Sequence, residues 1–315
     1  MGRKLLTISF LLLLAAGAEG WNHTGHKTVG LIAYRELSPE TRSKAIAILM
    51  HHPKYEEWIK NVPDERREAH AFMMAAVWPD DIRETPEDIP KDHFINLPYV
   101  IDGVKIPPSH SRESVLAAPN ILGHLDRSME ALRSEKDPVK KAKELCWLLH
   151  LMGDLHQPLH ATALHSEEFK DGDLGGNAFI VAERETTLKP GALQFPNLHS
   201  YWDGLVGTNQ SWGYLVETAD RCARHPRSEF AEELKKSRLL DWAEESRDLA
   251  IKHAYLDGNL TGLSRTAVKA RLGDNKYVHV PVLTKGYQTD TEAVAERRIA
   301  LAGYRLADAL GAALK

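Results

Sequence analysis

Leu149-His150-Leu-Met-Gly-Asp154-Leu-His156-Gln-Pro158-Leu-His160 is the stretch on which the reading of this chain turns. His150 and Asp154 stand four residues apart in a segment whose apolar periodicity predicts a helix, so their side chains share one face. The helix starts near Asp137 and is expected to end before Pro158, because proline cannot continue it. Leu148, Leu149, Leu151 and Met152 surround the pair with apolar surface. An unpaired carboxylate there would be very costly, so Asp154 needs a counter-charge. A metal ion or an ordinary buried His–Asp pair would each supply one.

A second segment repeats the spacing: Leu198-His199-Ser-Tyr-Trp-Asp203. If helical, it too presents His and Asp on one face. Two such pairs plus His160 point to metal more strongly than either alone, since imidazole and carboxylate are the usual ligands of catalytic zinc. Three further pieces read as unremarkable in isolation. Trp78-Pro-Asp80-Asp81-Ile-Arg83 reads as a surface acidic turn, and Asp92-His93-Phe94-Ile-Asn96 as a strand or loop with one His. Trp21-Asn-His23-Thr-Gly-His26 reads as ordinary terminal residues.

The other predicted helices lie at about 25–37, 112–133 with a break near Pro119, 214–223, 228–233, 238–255 and 290–314. Short strands are expected at 179–182 and 278–282, with 161–197 otherwise loop-like around Gly172, Gly175, Gly176, Pro190 and Pro196. The expectation is one mainly α-helical domain with a long functional loop and no internal repeat.

Composition narrows the function. The chain has 315 residues, 40 basic and 44 acidic, for a formal charge of −4. A general electrostatic nucleic-acid binder would be basic, so any bound phosphate must be held by local charge. Two cysteines, Cys146 and Cys222, are too few for a thiolate zinc site, and whether they pair is open. The informative excess is the 16 histidines. At the start, Arg3 and Lys4 precede an apolar run from Leu5 to Ala16, and Ala18-Glu19-Gly20 offers small residues at a cleavage site. Residues 1–20 therefore read as a signal peptide and 21–315 as the folded domain, without a membrane span once the leader is removed. Cleavage after Gly20 would free the α-amino group of Trp21, whose pKa near ~8 lets it deprotonate beside a metal.

Taken together the pieces resemble the secreted zinc nucleases of fungi and plants, the S-one/P-one or class I nucleases, which share a helical fold with bacterial zinc phospholipase C. The motifs run in family order: Trp-x4-His, Trp-x-Asp-x-x-Arg, His-Phe-Ile, His-x3-Asp-x5-His, Gly-Gly-Asn and His-x3-Asp. Arg305, in Ala-Gly-Tyr-Arg-Leu-Ala, resembles the family's ending. The resemblance implies a cleft with three zinc ions. Asp80, His93, His150 and Asp154 would hold the first. His160, His199 and Asp203 would hold the second. The Trp21 amine and carbonyl, His26 and a bridging carboxylate would hold the third, with Asp154 the expected bridge over Asp80. His23, Asp81 and His156 are left as non-ligands.

The resemblance also implies the chemistry. A monomeric enzyme, secreted or periplasmic, would cut single-stranded DNA and RNA to 5′-phosphorylated products and could act on 3′-nucleotides. Arg83 would neutralise charge at phosphorus, and Phe94 and Asn177 would receive a base. One position departs from the family: Asn96 stands where its fungal and plant members carry the Asp thought to orient the attacking water. Asn can position water but cannot act as a base. Two rival readings are a zinc phospholipase C and an exported zinc-binding protein without catalysis. His199-x3-Asp203, rather than His-x3-Glu, speaks against the lipase. Sequons stand at Asn22, Asn209 and Asn259, and a glycan on Asn22 would crowd the third metal.

Overall fold

In a computed structural model, residues 20–315 are described; the expected signal peptide falls, apart from Gly20, outside them. The centre of the molecule is the helix Pro138–His156. Asp137 caps it by accepting from the backbone N–H groups of Val139 and Lys140, and Pro138 sits at its first position, where a missing N–H costs nothing. It ends, as expected, before Pro158. Every residue from Leu145 to His156 is buried, because neighbours cover it on all sides. These are Arg67–Asp81, Ile121–Ser134, the N-terminal helix His23–Glu36 and the 29-residue C-terminal helix Lys285–Ala313. The C-terminal helix buries Tyr287, Thr291, Ala295, Ile299, Leu306 and Leu310, near the 3–4-residue spacing of one helical stripe.

The expected helices are present, with changes at their ends. The 112–133 segment is two helices, Arg112–Ala117 and Ile121–Ser134, broken around Pro119. The 238–255 segment is an α-helix, Leu239–Leu249, that widens into a π-helical turn at Ala250–Ala254. The 228–233 segment is a 3-10 turn followed by Ala231–Lys235. Two helices near the centre were not expected, Pro39–Leu49 and Arg67–Asp81. The second carries Asp80, so Trp78–Arg83 is not a surface turn. Pro79 sits in its last turn, where the helix is ending.

The strands are short and pair in twos. Phe179–Ile180 lies antiparallel to Leu263–Ser264, and Thr186–Leu188 to Val278–Val280. The pair that matters most was not foreseen: Leu97–Val100 runs parallel to Thr162–His165. That ladder draws the segment after His93 alongside the segment after His160. Cys146 and Cys222 are both buried free thiols. Among the described residues no helix is long and apolar enough to cross a membrane.

Candidate metal centre and active site

Four elements converge on one buried point. Pro138–His156 brings His150 and Asp154, both fully buried and 3.1 Å apart (Nε2 to Oδ2). The end of Arg67–Asp81 brings Asp80, whose Oδ1 lies 3.6 Å from His150 Nε2. The 3-10 turn Pro90–His93 brings His93, with Nδ1 3.0 Å from Asp154 Oδ2. His23–Glu36 brings His26, with Nε2 3.3 Å from Asp154 Oδ1 and its ring stacked on His150 at 3.9 Å. One oxygen of Asp154 thus faces His26 while the other faces His93 and His150. A few ångströms on, His160, His199 and Asp203 meet: the two Nε2 atoms are 3.2 Å apart, and His199 Nε2 is 3.5 Å from Asp203 Oδ2. Three sets of donor atoms close enough to share one ion result: His26 with His150 and Asp154, Asp80 with His93 and His150, and His160 with His199 and Asp203.

Hydrogen bonds around the sets suit metal rather than protons. His150 Nδ1 donates to Ala76 O (2.9 Å), His160 Nδ1 to His93 O (2.8 Å) and His199 Nδ1 to Gly175 O (2.6 Å). Each bond fixes the tautomer and turns an Nε2 lone pair inward, the usual support of a metal-binding imidazole. Two lone pairs so aimed, as in His160 and His199, repel unless a cation lies between them. Both ring nitrogens of His26, His93 Nε2 and Asp154 Oδ1 are buried without hydrogen-bond partners, which is unusual for buried polar atoms. These residues fit a multinuclear metal site.

Protons compete for the same atoms. Burial opposes charge on His150, yet Asp154 and Asp80 outweigh it and push the imidazole up to about 9. Burial also opposes ionisation of Asp154, but His150 and His160 hold it well below the carboxylate range. Burial, then His150, lowers His26 to about 4. Metal uptake must displace the His150 proton, so affinity weakens in acid.

The remaining expected residues fall as follows. Trp21 is fully buried, and its neighbour Asn22 accepts from Gly25 N, capping the N-terminal helix. Asn22 also donates from Nδ2 to Gly207 O and from its backbone to Asp203 O. Its side-chain amide is therefore engaged, whereas Asn209 and Asn259 are exposed. Arg83 lays its guanidinium on Asp80 Oδ1 (2.9 Å) and within 3.4 Å of His93 Nδ1, at the edge of the cluster. Phe94 and Asn96 line a cavity of about 260 Å³ beside it, with Lys91, His110, Asn120 and His165. Asn177 does not line that cavity; its amide donates to Leu174 O and closes its own turn. Asp92 pairs with Arg127 (2.7 Å) and His124 (3.0 Å), away from Asn96. His23 and Asp81 form a half-exposed pair, and His156 faces Arg305 and Met152 O. Gln157, passed over in the sequence, donates to Asp203 Oδ1 at 2.7 Å and orients that carboxylate. Its place between His150 and His160 was the only signal for it.

A mainly helical protein that gathers three adjoining imidazole–carboxylate clusters, with an arginine at the edge, has the donor set of a metal-dependent phosphoesterase. Comparison narrows the class. The model of the S1/P1 nuclease family matches residues 21–315, and the chain belongs to that family. Endonuclease 5 of Arabidopsis thaliana is 25% identical over 335 residues, covering 98% of this chain and 95% of its own length. Nuclease S1 of Aspergillus oryzae is 26% identical over 324 residues, covering 96% of each. Endonuclease 3 of Arabidopsis thaliana is 25% identical, over 97% of this chain and 93% of its own. The protein is a hydrolase of phosphodiester bonds, an endonuclease with nucleic acid as its substrate.

Proposed function

We propose that residues 1–20 are removed on export and that the remaining chain, a secreted or periplasmic monomer, is a three-zinc endonuclease. Its substrates are single-stranded DNA and RNA, its products carry 5′-phosphates, and it also acts on 3′-nucleotides. The observation that carries this reading is the set of three imidazoles whose outer nitrogens are each tied to a backbone carbonyl, leaving the inner ones aimed at shared points. Asp80, His93, His150 and Asp154 would hold the first ion, and His160, His199 and Asp203 the second. The Trp21 amine and carbonyl, His26 and the bridging Asp154 would hold the third. Bound zinc supplies a nucleophilic water near neutral pH and neutralises charge on the phosphate.

The chain's own groups do the rest. Asp80 fixes Arg83, whose guanidinium faces the cluster, so a phosphate placed there meets a cation that needs no reorganisation. Phe94 lines the adjoining cavity, and its ring would stack a base that is free of a duplex. Stacking of that kind is tolerant of sequence, and a base within a duplex cannot reach it, which accounts for single-strand preference. Asn177, whose turn is held by its bond to Leu174 O, would hydrogen-bond a base edge. Asn96 lines the same cavity and can orient water without taking its proton. Asp92, committed to Arg127 and His124, is no substitute.

The direct test is hydrolysis of single-stranded DNA by the Trp21-starting protein before and after chelation, then after zinc is restored. Activity should vanish with the chelator and return with zinc. A zinc-loaded protein that leaves DNA and RNA intact but cleaves phospholipid would overturn the proposal. Asn96→Asp tests the departure from the family. A carboxylate there should raise kcat by about tenfold, less than the ~10²-fold of a full general base, because bound metal would itself acidify the water. A new acidic limb should appear in the pH–rate profile; an unchanged rate and profile would remove Asn96 from water positioning.

A further inference from the structure

Asp173 is fully buried, and no step so far uses its carboxylate. Its Oδ1 accepts from Leu164 N (2.9 Å), and its Oδ2 from Gly176 N (2.9 Å) and from the hydroxyl of Tyr255 (2.7 Å). Leu164 belongs to the strand that follows His160. Gly175 and Gly176 are the residues that meet His199: Gly175 O accepts from His199 Nδ1 at 2.6 Å, and Gly176 O accepts from its backbone N–H. One carboxylate therefore ties together the two chain segments whose imidazoles face each other across 3.2 Å.

The glycines explain why the tie is close. A Cβ on Gly175, whose φ is +59°, would stand 2.4 Å from Leu159 O, and one on Gly176 would stand 3.1 Å from His199 N. At Gly175-Gly176 the loop is pressed between Leu159 and the start of the His199 helix with no space for side chains. Those two residues have no side chain with which to grip, and Asp173 holds the turn by accepting from the Gly176 N–H.

Tyr255 is held in turn by an unusual backbone. It follows the π-helical turn Ala250–Ala254, and Leu256 and Asp257 have φ of +50° and +53°. Residues with a Cβ adopt that region only where surrounding structure forces them, and π turns recur at functional sites. The result is a buried hydroxyl aimed at Asp173. An apolar residue at 173 would avoid the cost of a buried carboxylate but could not accept these donors.

We propose that Asp173, with Tyr255, is a positioning group: it fixes the Gly175 carbonyl that orients His199 and so sets how tightly the His160–His199–Asp203 cluster holds its metal. This rests on the reading of that cluster as a zinc site. Asp173→Asn keeps the volume but replaces an acceptor oxygen with an NH2 facing donors. Tyr255→Phe removes a single hydroxyl. Val181→Ala, which thins the apolar core beside Tyr255, serves as a control for simple loss of stability.

The measurement is transfer of zinc, equivalent by equivalent, from the purified protein to a chromophoric chelator, with thermal unfolding of the same samples. In Asp173→Asn one equivalent should be held about 10- to 100-fold more weakly, the usual range for loss of an orienting partner, while the others keep the parent behaviour. Tyr255→Phe should weaken the same equivalent by less, and keeps the test alive should the Asn variant fail to fold. Val181→Ala should lower Tm and leave all equivalents unchanged. Variants that lose Tm but release every equivalent as the parent does, or all alike faster, would overturn the positioning role alone. A parent protein that takes up no zinc would overturn both this role and the reading beneath it.

Discussion

Replacing Asp154 by Asn should lower turnover of single-stranded DNA by about 10³-fold or more and remove more than one zinc per molecule. The size follows from geometry. Oδ1 of Asp154 faces His26 at 3.3 Å, and Oδ2 faces His93 at 3.0 Å and His150 at 3.1 Å, so a single carboxylate lies between residues proposed to hold two different ions. Asn fills the same volume, and the helix Pro138–His156 is set by its cap, its proline stop and its buried leucines, so the variant should fold. What it lacks is the charge. Loss of one preorganised electrostatic contact costs roughly 10²–10³-fold in rate; loss of a shared ligand exceeds that by disturbing two sites together. Parallel measurement of kcat/KM and zinc content decides the matter. A variant that retains its full zinc complement and stays within about tenfold of the parent rate would show that Asp154 bridges nothing.

His150 and Asp154 were legible because their relation is local. A helix puts residues four apart on one face whatever surrounds it, and the same holds for His199 and Asp203 in Leu198–Asp203. Asp80 and His93 were not legible from their own neighbourhoods. Asp80 is acidic, next to another Asp and one residue after proline, all marks of an exposed turn. It is buried only because Arg67–Asp81 packs on Pro138–His156, and only the family motif singled it out. The parallel pairing of Leu97–Val100 with Thr162–His165 joins positions 65 residues apart, and strands of four residues are too short to show a periodicity of their own. Gln157 lay inside the quoted motif yet passed unread, because its partner Asp203 is 46 residues away. The tie from Tyr255 to Asp173 spans 82 residues and depends on a π turn that no periodicity announces. Local geometry thus carried the pairs, resemblance added His26, Asp80 and His93, and what neither could reach were the groups that orient a cluster residue from a distant segment.

A protein that begins at Trp21 should hold one more zinc than the same protein with Gly20 still attached. In the uncut chain Gly20 is buried against the cluster, and a Cβ built on it would fall 1.6 Å from Asp154 Oδ1 and 3.1 Å from His26 Nε2. Residue 20 therefore stands beside the two donors assigned to the third ion. The uncut chain offers them an amide nitrogen, whose lone pair is delocalised into the peptide bond and binds no zinc. Cutting before Trp21 replaces it with an amine of pKa near ~8, which deprotonates readily beside a metal, and clears the space Gly20 occupied. Because Asn22 caps the first helix and is tied to Gly207 and Asp203, the new terminus stays anchored after the cut. Turnover of the Gly20-bearing form should be lower by about 10²-fold, the scale of one lost electrostatic contact. Gly20→Ala in that form should destabilise it further, since the added methyl has no room, while the same substitution is silent once the leader is gone. Zinc content and DNA turnover of the two termini, prepared by clean proteolytic release, give the answer: equal zinc and equal rates would mean that the third site, if it exists, is built without the α-amino group.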